Sequence, residues 1–259
     1  MVENSLSPVA ITSNLATRFI GQRVICYPRL TSTMDIAKRQ AQQGAREGTV
    51  IVAEEQTAGR GRIKRTWLSP RGSIALSIIF YPQLAYLSSL IMVASLAVVH
   101  SIEQVTGLKS QIKGPNDVLV NDKKVCGILI ESDVKGNSVD YAIIGIGVNV
   151  NLRLVEFPQI SPTATSLSHE LGRDVSRLDV IRCLLAEAER LYLALPTGDS
   201  VYQEWRDNLV TLGKKVQVRS GATTYKGVAE SVASDGSLLL RQSDGNLIKI
   251  VAGDVTLRE

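Results

Sequence analysis

Two apolar runs, Thr49-Val50-Ile51-Val52-Ala53 and Ile74-Ala75-Leu76-Ser77-Ile78-Ile79-Phe80, flank a long polar stretch from Glu54 to Gly72. Short runs rich in β-branched residues and bounded by polar residues predict strands with both faces buried. Upstream, Ser7-Pro8 to Ile20 predicts a short helix with Ile11, Leu15 and Phe19 inward, and Gln22 to Tyr27 a strand. Proline is tolerated in a first helical turn. Thr31, Ser32 or Thr33 can cap a further helix through Gln43, which Gly44 and Gly48 end. Downstream, a long apolar helix is predicted from Gln83 to Val105, stopping at Gly107. Val118 to Val120 and Val125 to Ile130 read as a hairpin around Asn121-Asp122, and Ser138 to Ile146 as one more strand.

Pro158 to Pro162 reads as a loop, and residues 165–171 as a short helix. Leu178, Ile181, Leu184, Leu185, Ala188 and Leu191 fall on one face of a helix from Ser176 to Leu193. Asp179, three residues after Ser176, gives it a start like a capping box. A last helix runs from Asp199 to Asn208 with Tyr202 and Trp205. From Leu212 the pattern changes to five short strands at Lys215–Arg219, Thr223–Val232, Ser237–Arg241, Leu247–Val251 and Val255–Leu257. Asp235-Gly236 and Asp244-Gly245 are hairpin turns by composition. The order does not alternate strand and helix regularly, so the expected class is α+β: a mixed sheet with flanking helices, then a small SH3-like β-barrel. The expected domains are 1–211 and 212–259.

Composition narrows the function classes. Hydrophobic residues at 44% and charged residues at 21% fit a globular chain of 259 residues. The net charge of +4, from 29 basic and 25 acidic residues, is too mild to require a nucleic-acid partner. Three cysteines, Cys26, Cys126 and Cys183, without a CxxC pair give neither a disulfide framework nor a zinc site, and suggest a reducing compartment. Leu84 to Val99 is short for a membrane span of about 20 residues and contains Ser88, Ser89 and Ser95. No secretion signal is visible, so the expectation is a cytoplasmic protein without a membrane partner. No P-loop is present, and Gly145-Ile146-Gly147 fails the dinucleotide fingerprint because residue 150 is Val. His100 and His169 are too few and too scattered for a Ser-His-Asp arrangement.

The polar stretch between the first two runs holds most of the chemistry. Gly59 and Gly61 allow close backbone approach to a ligand, and Arg60, Arg62, Lys64 and Arg65 place four cations within six residues without an acid among them. Like charges repel, so the loop is expected to be mobile until an anion arrives. Arginine can grip phosphate or carboxylate at two points, and Trp67 can cover a flat group. A solvated basic loop, or a nucleic-acid segment of the RGG kind, would look similar in isolation; the latter repeats, and this stretch occurs once.

Four segments in register decide the matter: Ser32-Thr33-Met34; Gln56 with Gly59-Arg60-Gly61-Arg62, Arg65 and Trp67; Lys113-Gly114-Pro115-Asn116-Asp117; and Lys124 with Gly127-Ile128-Leu129 and Glu131. Together with Gly145-Ile146-Gly147-Val148-Asn149, they resemble the biotin–protein ligase family, through its GRGRxxRxW, KWPND and KxxGILxE patterns. The one departure is Gly114, where the family pattern has Trp. The resemblance implies a catalytic domain like that of class II aminoacyl-tRNA synthetases, of the short type without an N-terminal DNA-binding domain. It implies an ATP- and Mg2+-dependent enzyme that forms biotinoyl-5′-AMP and passes the acyl group to a lysine of a biotin carboxyl carrier domain. By resemblance, Lys113 and Arg60 are the catalytic residues. Ser32, Thr33, Met34, Gln56, Arg60, Gly61, Arg62, Lys113, Gly127 and Leu129 bind biotin. Arg60, Arg62, Arg65, Trp67, Asn116 and Asn149 bind the adenylate. Metal ligands are not identified, no DNA partner is expected, and a homodimer is left open. The rivals are a lipoate–protein ligase and a non-enzymatic nucleic-acid binder.

Overall fold

The computed structural model describes residues 6–251 and 253–257; the side chains of Lys64, Asp254 and Leu257 also lie outside the described part. Seven strands form the main sheet: β1 (Val24–Tyr27), β2 (Val50–Ala53), β3 (Ile74–Phe80), β4 (Gln111–Lys113), β5 (Asp117–Val120), β6 (Lys123–Lys135) and β7 (Ser138–Val148). Their order is β1-β2-β3-β7-β6-β5-β4. β1 and β2 are parallel and the other neighbours antiparallel, so the sheet is mixed as expected.

Among the described residues six α-helices accompany it: α1 (Pro8–Thr12), α2 (Thr33–Gln42), α3 (Leu90–Thr106), α4 (Leu167–Leu171), α5 (Arg177–Ala194) and α6 (Ser200–Asp207). α3 and α5 cover one sheet face, where Ile78, Phe80, Val93, Leu96, Ile144, Ile181 and Leu184 share the main core. α2 covers part of the other, with Met34, Ala37 and Ala41 against Ile51, Ile79 and Ile143. That face is only half covered, and the remaining half is where the chemistry lies.

Two helices are shorter than the pattern predicts. α1 ends at Thr12, because Ser13 turns extended and Asn14 adopts a left-handed φ of 62°. Short polar side chains compete with helical hydrogen bonds and tolerate that conformation. α3 begins at Leu90, after a separate 3-10 turn at Leu84–Tyr86. The Asn121-Asp122 hairpin is as expected: both residues have positive φ, the requirement of a tight two-residue turn. Ser176 caps α5 by accepting from the Asp179 amide. β4 was not anticipated; three residues ahead of a proline carry too little pattern.

The second sheet contains β8 (Lys215–Ser220), β9 (Thr223–Val232), β10 (Leu238–Arg241), β11 (Leu247–Ile250) and β12 (Asp254–Leu257), in the order β11-β10-β9-β8-β12. Its neighbours are all antiparallel, around a small core of Val216, Val218, Ala229, Leu240 and Ile250. It is the small SH3-like unit the turn spacing suggested. Trp205 on α6 is 1% exposed and sits in the main core with Val232 of β9, so one indole packs against both sheets' elements. Trp205→Ala should therefore lower unfolding stability by about 3–5 kcal/mol, read as a fall in the urea midpoint.

Candidate active site

On the half-open face, β6 and β7 carry glycine where a strand usually carries a side chain. Gly127 pairs with Gly147 across the ladder, and Leu129 with Gly145. A larger residue at these positions would have to displace its neighbours. A Cβ on Gly147 would lie 2.2 Å from Trp67 Nε1, one on Gly127 2.9 Å from the same ring, and one on Gly145 2.5 Å from Met34 Sδ. The bare strip is thus the floor of a pocket of about 120 Å3, with Trp67 and Met34 resting on it.

The N-terminus of α2 forms one end of the pocket and lines it with neutral groups. Ser32, Thr33 and Met34 are all buried. The Thr33 amide and hydroxyl both donate to Gln56 Oε1, at 2.8 and 3.1 Å, and Ser77 Oγ donates to Thr33 Oγ1 at 2.8 Å. Ser32 does not cap the helix with its side chain; its buried Oγ has no hydrogen-bond partner. A buried hydroxyl without a partner is costly and points to a group that the ligand supplies.

The basic stretch folds over the floor as a narrow hairpin-like flap. Gln56 bridges Ser69 and Arg60 bridges Thr66; the Gly61 amide donates to Arg65 O at 2.7 Å and the Trp67 amide to Gly59 O at 2.8 Å. The expectation of uncompensated cations is corrected here, because carboxylates arrive from other elements. Arg60 pairs with Asp35 of α2 at 2.9 Å and with Glu131 of β6 at 3.2 Å. Sequence neighbours could not reveal these pairs. The Lys64 side chain lies outside the described residues.

The other end of the pocket is charged. Arg62 donates to Asn116 Oδ1 at 2.7 Å and to Gly253 O at 3.2 Å. Lys124 Nζ lies 2.7 Å from Asp117 Oδ1 and 5.3 Å from the Trp67 ring centroid, in cation–π range. The Trp67 Nε1 is buried without a partner. Glu131 stands four residues beyond Gly127 on β6, or about 13 Å at strand rise, so Arg60 and Lys124 mark opposite ends. The nearby thiols offer no nucleophile: burial pushes Cys126 far up, and burial with the Glu54 charge pushes Cys26 up to about 11.

Most residues expected at the site are brought together: Ser32, Thr33, Met34, Gln56, Arg60, Gly61, Arg62, Arg65, Trp67, Asn116, Gly127 and Leu129 line the pocket. Two are placed elsewhere. Lys113 is not in the lining; it sits on β4, the edge strand two places beyond β6, or about 10 Å across at the usual strand spacing. Asn149 is buried with its amide donating to Thr165 O at 3.0 Å, holding the chain after β7. Among the described residues, the lysine that lines the pocket is Lys124, with Asp117 beside it. Its signal was its place three residues before Gly127, on the strand that builds the floor.

This architecture has known counterparts. The model of the biotin/lipoate A/B protein ligase family matches residues 26–149, and that of the biotin protein ligase C-terminal domain matches residues 211–258. The bifunctional ligase/repressor BirA of Bacillus subtilis is 36% identical, over 97% of this chain and 79% of the relative. The biotin--[acetyl-CoA-carboxylase] ligase of Paracoccus denitrificans is 32% identical, over 76% of this chain and 86% of the relative. A biotin protein ligase from Aquifex aeolicus, solved in complex with biotin and ATP, superposes with a TM-score of 0.78 at 28% identity, over 92% of this chain and 99% of that one. Sequence and fold agree, and the chain belongs to the biotin–protein ligase family.

Proposed function

We propose that the chain activates biotin with ATP as biotinoyl-5′-AMP and transfers the biotinoyl group to a lysine of a biotin carboxyl carrier domain, in the cytoplasm. The observation that carries this reading is the division of the pocket. One end offers neutral hydrogen-bonding groups of Ser32, Thr33 and Gln56 for a polar ring without charge. The other gathers Lys124, Arg62, Asn116 and Trp67, suited to a carboxylate meeting a phosphate and a flat base. The domain limits proposed are 1–211 for catalysis and 212–259 for the barrel.

In the first step a biotin carboxylate oxygen attacks the α-phosphorus of ATP, an O–P bond forms, and pyrophosphate leaves. In the second, a carrier lysine amine attacks the acyl carbon, the new C–N bond forms, and AMP leaves. Neither step needs a protein nucleophile, so positioning and charge stabilisation carry the catalysis. Lys124 stands where negative charge builds, at the junction of acyl group and phosphate, and takes over the role expected of Lys113. Arg60, pinned to Asp35 and Glu131, closes the ring end rather than gripping phosphate. Arg62 and Arg65 face the adenylate, and the flap keeps water from the mixed anhydride. Among the described residues no group of three or more acidic, His or Cys side chains could hold a metal. Asp117 and Asn116 alone suit a Mg2+ that arrives on the phosphates, where it would neutralise charge. No helix among the described residues is long and apolar enough to cross a membrane. A DNA partner is not part of the proposal.

Biotin-dependent exchange of labelled pyrophosphate into ATP, without a carrier, tests the reading; exchange driven by lipoate instead of biotin would overturn it. Within that assay, Lys124→Ala should slow exchange by about two to three orders of magnitude, equivalent to roughly 3–4 kcal/mol of charge stabilisation, while Lys113→Ala costs less than about tenfold. A reversed order would return the role to Lys113. Gly147→Ala should fold but displace the Trp67 indole, whose Nε1 lies 2.2 Å from where the new Cβ would stand. The Trp67 emission would shift and ATP binding would weaken; unchanged ATP binding would show that the indole has no part in the nucleotide end.

A further inference from the structure

The flap is tied down at its base by a residue that none of the ligand-facing motifs contains. Arg177 is the first residue of α5, yet it is only 4% exposed. A cation in the first turn opposes the helix dipole, and a buried one loses its hydration, so neither helix formation nor packing accounts for it. Its partners do. Arg177 donates to Glu54 Oε2 at 2.6 Å and to Glu54 Oε1 at 3.4 Å, and to the Ser73 carbonyl at 3.3 Å. Glu54 is the residue where the chain leaves β2, and Ser73 the one where it enters β3. One guanidinium therefore spans both stems of the flap.

The same corner is held a second time. The Asn151 amide donates to Gly72 O at 2.9 Å, and the Asn151 side chain makes two 2.9 Å hydrogen bonds to the backbone of Val175, two residues before Arg177. Gly72 needs to be glycine: its φ is +93° and a Cβ would lie 3.0 Å from Asn151 O. Glu54 Oε1 also accepts the Leu6 amide at 2.9 Å. Two residues inside this clamp, the Gln56 amide pairs with Ser69 O at 2.9 Å and the Gln56 side chain meets Thr33.

We infer that Arg177, through Glu54 and the Ser73 carbonyl, is a positioning residue that sets the spacing of the flap's two stems and so the placement of Gln56 and Trp67 over the glycine floor. The inference rests on the proposed biotin site only for its enzymatic readout. A buried ion pair can often be exchanged for apolar residues of similar size without loss of stability, whereas removing one partner strands a charge. That difference separates positioning from mere folding. The single variant Arg177→Met leaves Glu54 unpaired and loses stability. The double variant Glu54→Met/Arg177→Met should melt close to the natural chain but lose the two-stem connection.

The experiment compares the natural chain, Arg177→Lys and the double variant by pyrophosphate exchange, thermal melting and amide hydrogen exchange of residues 57–67. For the double variant we expect the KM for biotin to rise about tenfold or more with kcat within about threefold, and flap amides to exchange about tenfold faster in the free protein. Arg177→Lys, which keeps charge but not the planar fork, should fall between. A double variant with normal melting, KM and amide exchange would overturn the inference, and so would one that fails to fold. If the natural chain shows no biotin-dependent exchange, the functional reading fails, and the amide data still decide the clamp.

Discussion

The antiparallel register of β6 and β7 is the constraint on which the site depends. It sets Gly127 opposite Gly147 and Gly145 opposite Leu129, so three glycines leave a strip of low relief on the half-covered face. Because side chains alternate along a strand, a slip of one residue would turn Ile128 and Ile146 into the pocket and the glycines into the α3 side. The core there is closed by Val93, Leu96 and Ile181, so such a slip would cost both the core and the cavity. Fold and site are therefore fixed by the same pairing.

The strip also explains why a charged flap can lie against a buried floor. Trp67 rests directly on Gly127 and Gly147, which brings the flap backbone down far enough for Gln56 to reach Thr33. The cations of the flap then fall outside the apolar floor, within reach of Asp35 and Glu131 at one end and of Asn116 at the other. Arg60, Asp35 and Glu131 are each about a third or more exposed. Pairs of that kind contribute little individually, so they orient the flap without locking it. A ligand with stronger claims on the arginines can rearrange them.

Much of this was legible in the chain. The strand pattern of residues 49–80, the Asn121-Asp122 hairpin and the five short C-terminal strands were readable because each depends on neighbours within a few residues. So was the membership of the pocket, because its motifs lie on elements that the sheet brings side by side. What stayed hidden depends on pairs distant in sequence. Arg60 finds its carboxylates 25 residues upstream and 71 downstream, and Arg177 finds Glu54 across 123. Lys113 and Lys124 look equally apt as a string; only the strand order, with β4 outermost and β6 in the floor, distinguishes them. α1 was overextended because apolar spacing persists past Ser13-Asn14, where the backbone leaves the helical region, and α3 because residues 84–89 keep tighter i→i−3 hydrogen bonds instead of joining the α-helix.

Of the buried polar atoms without a partner among the described residues, two, Ser32 Oγ and Trp67 Nε1, belong to residues at the two ends of the pocket. Each would be cheap to satisfy with one nearby side chain, and cores of this size usually do so. Their being left open at both ends of one cavity is coherent with a ligand long enough to touch both. Under the proposed function, a ring at Ser32 and a flat base at Trp67, joined through a charged centre beside Lys124, are the parts of one acyl-adenylate. Biotin would satisfy only the first of these atoms, and a nucleotide only the second. Bound side by side, the two substrates would meet both atoms, but the joined intermediate meets them as one ligand and loses its translational freedom only once. The pocket would thus favour the condensed intermediate over its precursors, which is what an enzyme needs if it must hold a labile anhydride until a carrier lysine arrives.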